Sequence, residues 1–425
     1  MTQMTHRELM PGVRLTAVQT HKFKSNQLSV TLLAPLAPET ASANALLPYV
    51  LRRGTRAHPD LESLSAALDE LYGGAIEPAV RKKGEAQCVG FVASFLDDAY
   101  APEGAGILEG AAALLGDLLL RPVTEEGGFK KVYVEGERSN LVDRIQAQVN
   151  EKRSYSLLRL TQEMCAGEPY GVDRLGDEKS AAAITPEGLW ERYQALLARA
   201  PVELYYCGSA DADRVAAALA AALDGLPRAG ELEEPDHGVQ ENATQDQPRL
   251  VTEAMDVTQG KLGMGFACGS EDTAALLMGN TLFGGSSNSK LFLNVREKLS
   301  LCYFASSVYH RSKGLITVSS GIEFQNYQKA YDEIMLQLRA VQKGELEPWE
   351  MDSARSVLRN AYVSMGDSQG KLENFYLGQA ATGQDETPEI LAEQVGAVTV
   401  DRVVEAMERV TLDTVYFLKG KGDAQ

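Results

Sequence analysis

The chain has 425 residues, 44% of them hydrophobic and 24% charged, enough for two or three domains with substantial cores. It contains no run of about eighteen apolar residues, so no membrane-spanning helix is expected. Acidic residues outnumber basic ones by 59 to 41, and a net charge of −18 argues against nucleic acid or an anionic membrane surface as the main partner. The opening residues, Met1-Thr-Gln-Met-Thr-His-Arg-Glu-Leu-Met10, lack a charged-then-apolar signal pattern, and a cytoplasmic location is the expectation. The five cysteines are widely spaced and form no C-x-x-C pair, as suits buried, reduced thiols. In that compartment the sequon Asn242-Ala-Thr244 is silent.

In chain order, Leu28 to Leu33 alternates as a strand. Asp60 caps a helix whose Leu61, Leu64, Leu68 and Leu71 repeat at spacings of three and four, and Gly73 ends it. Gln87 to Ser94 is a second strand. Thr185 then starts a helix that leads to the strand-like Val202-Glu-Leu-Tyr-Tyr-Cys-Gly208. The stretch Pro227 to Pro248 is poor in apolar residues and rich in breakers, so it cannot fold alone and reads as a linker. Beyond it, Gly263-Met-Gly265-Phe-Ala-Cys-Gly269 misses the dinucleotide fingerprint and reads as a strand with small residues. Leu315 to Ile322 is a strand, and Tyr327, Tyr331, Ile334, Leu338 and Val341 mark a helix that Gly344 stops. Thr399 finally starts a helix leading to the strand Val415 to Leu418. The Thr-capped helix followed by a strand therefore occurs twice at nearly equal offsets, which implies a duplicated α/β unit. The expected layout is one domain over 1–228, an acidic linker over 229–248 and a second domain over 249–425.

Few residues carry recognisable chemistry. His6, His21, His58, His237 and His310 include no two at ligand spacing. No Gly-x-Ser-x-Gly elbow is present, and no cysteine has a local histidine partner. The loop Gly284-Gly-Ser-Ser-Asn-Ser-Lys290 lacks phosphate-loop spacing. Within Val295-Arg-Glu-Lys-Leu-Ser-Leu-Cys-Tyr303, burial habits alone make Arg296 a solvated cation and Tyr303 a sheet-packing aromatic.

The surrounding text changes that reading. Phe283-Gly-Gly-Ser-Ser-Asn-Ser-Lys-Leu-Phe292 followed by Arg296 and Tyr303 resembles the C-terminal domain of the pitrilysin/insulinase family, which includes the mitochondrial processing peptidases. The resemblance implies an α+β fold of two homologous domains, each a mostly antiparallel sheet packed with helices, and it gives Arg296 and Tyr303 the task of reaching a zinc site. It also implies His-x-x-Glu-His in the first domain. Anchored on Gly54-Thr55, the two ligand histidines fall on Ala45 and Tyr49, the general-base glutamate on Pro48, and the third ligand near Asp143 or Arg144. No zinc or other cofactor is therefore expected on this chain; zinc is expected only in a partner subunit.

Asn150-Glu-Lys-Arg-Ser-Tyr155 and Glu163-Met-Cys-Ala-Gly-Glu-Pro-Tyr-Gly171 are similar to a bacterial subfamily called YmfF-like, which lacks the zinc motif. Its genes commonly lie beside one for a zinc-motif-bearing relative, and its family-level name implies a link to elongation factor P modification. The resemblance implies a non-catalytic subunit of a heteromeric zinc peptidase, which presents Arg296 and Tyr303 to a peptide or protein substrate at a paralogue's metal. The alternative is an interaction protein that binds peptides or a client without any part in proteolysis. A lone hydrolase with an unforeseen metal or base is the third possibility.

Overall fold

The computed structural model describes residues 3–236, 238–269 and 271–421. The first half of the chain contains β1 (Gln3–Met10), β2 (Val13–Gln19), β3 (Ser25–Pro35), α1 (Ala41–Leu51), α2 (Leu61–Glu70), β4 (Ala75–Lys83), β5 (Ala86–Leu96) and α3 (Ile107–Leu120). It continues through the short hairpin β6 (Thr124–Glu125) and β7 (Gly128–Phe129), then α4 (Lys131–Ala147), α5 (Lys152–Met164), α6 (Glu178–Ala182), α7 (Pro186–Arg199), β8 (Val202–Gly208) and α8 (Ala212–Ala222). The second half contains β9 (Arg249–Met255), β10 (Gly260–Ala267), α9 (Thr273–Asn280), a π-helix over Leu291–Lys298, β11 (Cys302–His310) and β12 (Leu315–Ile322). It ends with α10 (Tyr327–Gln342), α11 (Pro348–Val363), α12 (Gln369–Ala381), α13 (Pro388–Gly396), α14 (Val400–Glu408) and β13 (Thr411–Gly420).

Two compact units result. One comprises Met1–Gln146, Val172–Asp236 and Asp367–Gln384; the other comprises Ala147–Gly171, His237–Gly366 and Asp385–Gln425. Two segments cross the divisions expected from the sequence: 147–171, which holds α5, belongs to the second unit and 367–384, which holds α12, to the first. The physical reason for α5 is legible in β10. An added Cβ at Gly265 meets Met164 Sδ at 2.6 Å, and one at Gly263 meets Leu160 Cδ2 at 3.3 Å, so these glycines are the floor on which the helix lies. In the first unit, α12 lies against β8, β3 and β4, where Glu373 accepts two hydrogen bonds from the Arg81 guanidinium at 2.5 and 2.7 Å.

The first unit is built on a six-stranded sheet, β1-β2-β8-β3-β5-β4, and the second on a five-stranded sheet, β11-β12-β10-β13-β9. In each, one pair is parallel, β2 with β8 and β13 with β9, and the remaining pairs are antiparallel. Read from the parallel pair, β2-β8-β3-β5-β4 and β9-β13-β10-β12-β11 have the same strand order and directions, so the duplication inferred from the Thr-capped helices extends to the whole sheet. Both caps are formed: Thr185 accepts from the Gly188 amide and Thr399 from the Arg402 amide. Asp60 and Ser63 form a reciprocal capping box at α2. Gly344 takes φ +68° after α10. Each sheet carries its own apolar core, with Leu28, Phe91, Leu46 and Leu115 in the first unit and Leu262, Phe266, Phe283 and Ile334 in the second.

Candidate functional site

Helix α1 occupies the connection between β3 and the β4–β5 hairpin and is almost wholly buried; Ala45 is 0% exposed and Pro48 is also buried. Pro48 stands mid-helix, where it has no amide to donate. Tyr49, one residue on, is half-buried, and the Arg144 guanidinium of α4 stacks on its ring at 3.7 Å. Arg144 Nε donates to the Asn140 carbonyl at 3.1 Å, which holds the guanidinium against the ring. One turn along, Arg53 Nη1 meets Glu137 Oε1 at 3.3 Å, and its guanidinium faces the Tyr133 ring at 5.0 Å. Of the two residues at the third-ligand position, Arg144 meets Tyr49, while Asp143 is exposed.

These residues do not fit zinc. Ala45 has no donor atom, Pro48 has no base, and a guanidinium occupies the space beside Tyr49 where a carboxylate would have to approach a cation. Among the described residues no group of three or more His, Cys, Asp or Glu side chains is placed to hold a metal ion.

Arg296 lies on the equivalent connection of the second unit, between β10 and the β11–β12 hairpin, and Tyr303 follows at the start of β11. The π-helix over Leu291–Lys298 ends when Ser300 takes φ +49° and the Leu301 amide reaches back to the Val295 carbonyl at 3.0 Å. The strand then begins with a bulge: Cys302 pairs with Ile322 and Phe304 with Gly321, leaving Tyr303 as the extra residue. Tyr303 is 66% exposed, and its hydroxyl donates to Glu323 Oε1 at 3.4 Å. Arg296 stacks on Phe292 at 4.6 Å and, among the described residues, forms one ion pair, with its neighbour Glu297 at 3.5 Å. Its positive charge also acts on Cys302, where burial nevertheless raises the thiol above its ordinary value. The π-helix and the bulge therefore leave two donor groups on either side of the start of β11, the phenol exposed and donating to Glu323 and the guanidinium partly exposed.

The remaining polar candidates are structural. Lys290 is buried in an ion pair with Glu350 at 3.0 Å, so it is not available to a phosphate. His6 and His310 bond to Thr16 and Thr317; His237 lies outside the described residues. All five cysteines are buried and outside any disulfide, and burial pushes the Cys88 and Cys268 thiols up to about 12, away from nucleophilic thiolate. Sequence reasoning missed the partners of Tyr49. The signal was present in part: Tyr133, Glu137 and Arg144 recur at spacings of four and seven on one face of α4, and Tyr49 and Arg53 are four apart.

A duplicated α+β fold with an aromatic–guanidinium stack where the resemblance puts the zinc motif, and with no metal-binding group among the described residues, is that of an inactive zinc-peptidase homologue. Residues 183–358 match the family described as Peptidase M16 inactive domain. Over 416 residues, 96% of each chain, the protein is 36% identical to the "Probable inactive metalloprotease YmfF" of Bacillus subtilis. It is 24% identical over 160 residues, 36% of this chain and 39% of the relative, to the "Uncharacterized zinc protease YmxG" of the same organism. The crystal structure of a conserved protein from Enterococcus faecalis V583 superposes with a TM-score of 0.88 at 26% identity, covering 99% of this chain and 100% of that one. The chain belongs to the M16 peptidase family, the pitrilysin/insulinase group, and to its inactive branch.

Proposed function

We propose that the protein is the non-catalytic subunit of a heteromeric zinc peptidase and presents Arg296 and Tyr303 to a substrate held at a zinc-bearing paralogue. The observation that supports this reading is the combination of a guanidinium stacked on Tyr49, in place of a metal ligand set, in the first unit with the exposed Tyr303 phenol and the partly exposed Arg296 guanidinium around the start of β11 in the second. The partner supplies the metal and the base that activate water. Arg296 and Tyr303 supply two donors for the substrate carbonyl, and these bind more strongly as its oxygen gains negative charge. The occurrence in one bacterium of both a probable inactive relative and a zinc-protease relative supports the existence of such a pair. The reading places the heterodimer in the cytoplasm, and its link to elongation factor P modification rests on the subfamily resemblance.

Copurification with a His-x-x-Glu-His paralogue, followed by peptide cleavage assays, tests the proposal. Arg296→Ala and Tyr303→Phe are each expected to lower turnover by about a hundredfold, the usual cost of one oxyanion donor. Unchanged cleavage in both rules out the donor role. One observation favours the second reading, peptide or client binding alone: β11 is an edge strand of its sheet with Tyr303 and Val308 exposed, suited to pairing with an extended segment. On that reading both variants still bind the client.

A further inference from the structure

We propose that Tyr49 and Arg144 form a receptor for a carboxylate, carried either by the end of a peptide or by an acidic side chain. The proposal concerns the first unit alone and holds whether or not a catalytic partner exists.

Arg144 has unmet hydrogen-bonding capacity. A guanidinium has five N–H donors, and Arg144 uses its Nε on the Asn140 carbonyl. Its Nη2 is buried without a hydrogen-bond partner, and among the described residues no carboxylate lies within ion-pairing distance of it. Arg53, one turn away, has Glu137 as its counter-ion and so does not compete. The Tyr49 hydroxyl also makes no hydrogen bond among the described residues. The pair is half-buried, so the solvent that reaches it can be displaced.

The chemistry selects the ligand. Tyr49 and Arg144 are both donors, and the ring beneath the guanidinium fixes its plane, so one edge is preorganised for a planar acceptor with two oxygens. A carboxylate matches that fork with both oxygens, offsets the unpaired charge and keeps lone pairs on those oxygens for the phenol. A metal cation is repelled by the same group. The net charge of −18 disfavours a polyanion, leaving a single carboxylate on an otherwise uncharged peptide as the fitting ligand.

The test follows the guanidinium Nε–H resonance of Arg144 in the full chain with 15N-labelled arginine. Three forms of one alanine-rich hexapeptide are titrated: free C-terminus, C-terminal amide, and the amide with one internal glutamate. The free acid or the glutamate form is expected to bind roughly tenfold or more tightly than the plain amide, with the preferred form identifying the source of the carboxylate. That preference is expected to vanish in Arg144→Gln and to weaken in Tyr49→Phe, each checked for an unchanged melting profile. Equal affinity for all three forms, no binding at millimolar peptide, or discrimination that persists in Arg144→Gln overturns the proposal.

Discussion

Glu203 provides a pH-dependent test of the first unit's packing. It lies on β8, only 7% exposed, with Arg14 of β2 donating to it at 2.6 Å and Thr31 of β3 opposite it in register. Thr16, Ser29, Tyr205 and Glu373 surround the same small void. Burial is the larger influence and Arg14 the opposing one, so the carboxyl is pushed from 4.5 up to about 7, with Glu234 adding to the rise. Between these two values the native state holds a proton that the unfolded chain has released. Stability therefore falls as pH rises from about 4.5 through about 7, and the full shift corresponds to about 3 kcal/mol. Glu203→Gln keeps the shape and an acceptor for Arg14 but cannot ionise. Measured by calorimetry from pH 5 to 8.5, the wild type is expected to lose about 3 kcal/mol relative to this variant, or roughly 6–12 °C for a unit of this size. Taking the difference between the proteins cancels the general repulsion of an acidic chain. Parallel pH profiles, or a variant that is less stable than wild type only above pH 7, would refute the argument, since either means the ionised Arg14–Glu203 pair costs nothing.

The Arg81–Glu373 pair joins β4 to α12, and Glu373→Gln is expected to destabilise the first unit by about 3–5 kcal/mol because it strands a guanidinium; Arg81→Met with Glu373→Leu should recover most of that loss in urea titrations. Gly90→Ala places a Cβ 2.0 Å from the Val30 carbonyl oxygen in mid-sheet, and a loss of about 3 kcal/mol or more is expected, read as insoluble expression or a collapsed melting temperature. Ser300→Gly removes a side chain from a left-handed position and is expected to raise stability by about 0.5–1 kcal/mol, visible as a small upward shift in melting temperature. Dialysis against zinc followed by metal analysis should leave well under one equivalent bound, and stoichiometric uptake would contradict the misfit of Ala45, Pro48 and Tyr49 to zinc.

Much of the secondary structure was legible because it is locally encoded. The strand Leu315–Ile322, buried on both faces, and the helix from Tyr327 match their expected ranges, since a short apolar, β-branched run and spacings of three and four are local signals. The Thr185 and Thr399 caps were legible because a cap involves neighbours three residues apart. The identities at Ala45, Pro48 and Tyr49 were equally local. The stack on Tyr49 was not: Arg144 is far from it in the chain, and only the placing of α4 beside α1 brings the guanidinium over the ring. The π-helix and the bulge at Tyr303 also escaped, because each depends on hydrogen bonds shifted by one residue, which side-chain periodicity does not record.

The sequence by itself determined that two similar α/β halves exist and that the water-activating groups are gone, because element type follows short-range periodicity and a side chain's donor atoms are fixed by its identity. Only the tertiary structure decided where α5 and α12 pack, which residues fill the space beside Tyr49, and that Tyr303 projects into solvent. Those outcomes depend on burial and charge balance among residues distant in the chain, and no local pattern specifies them.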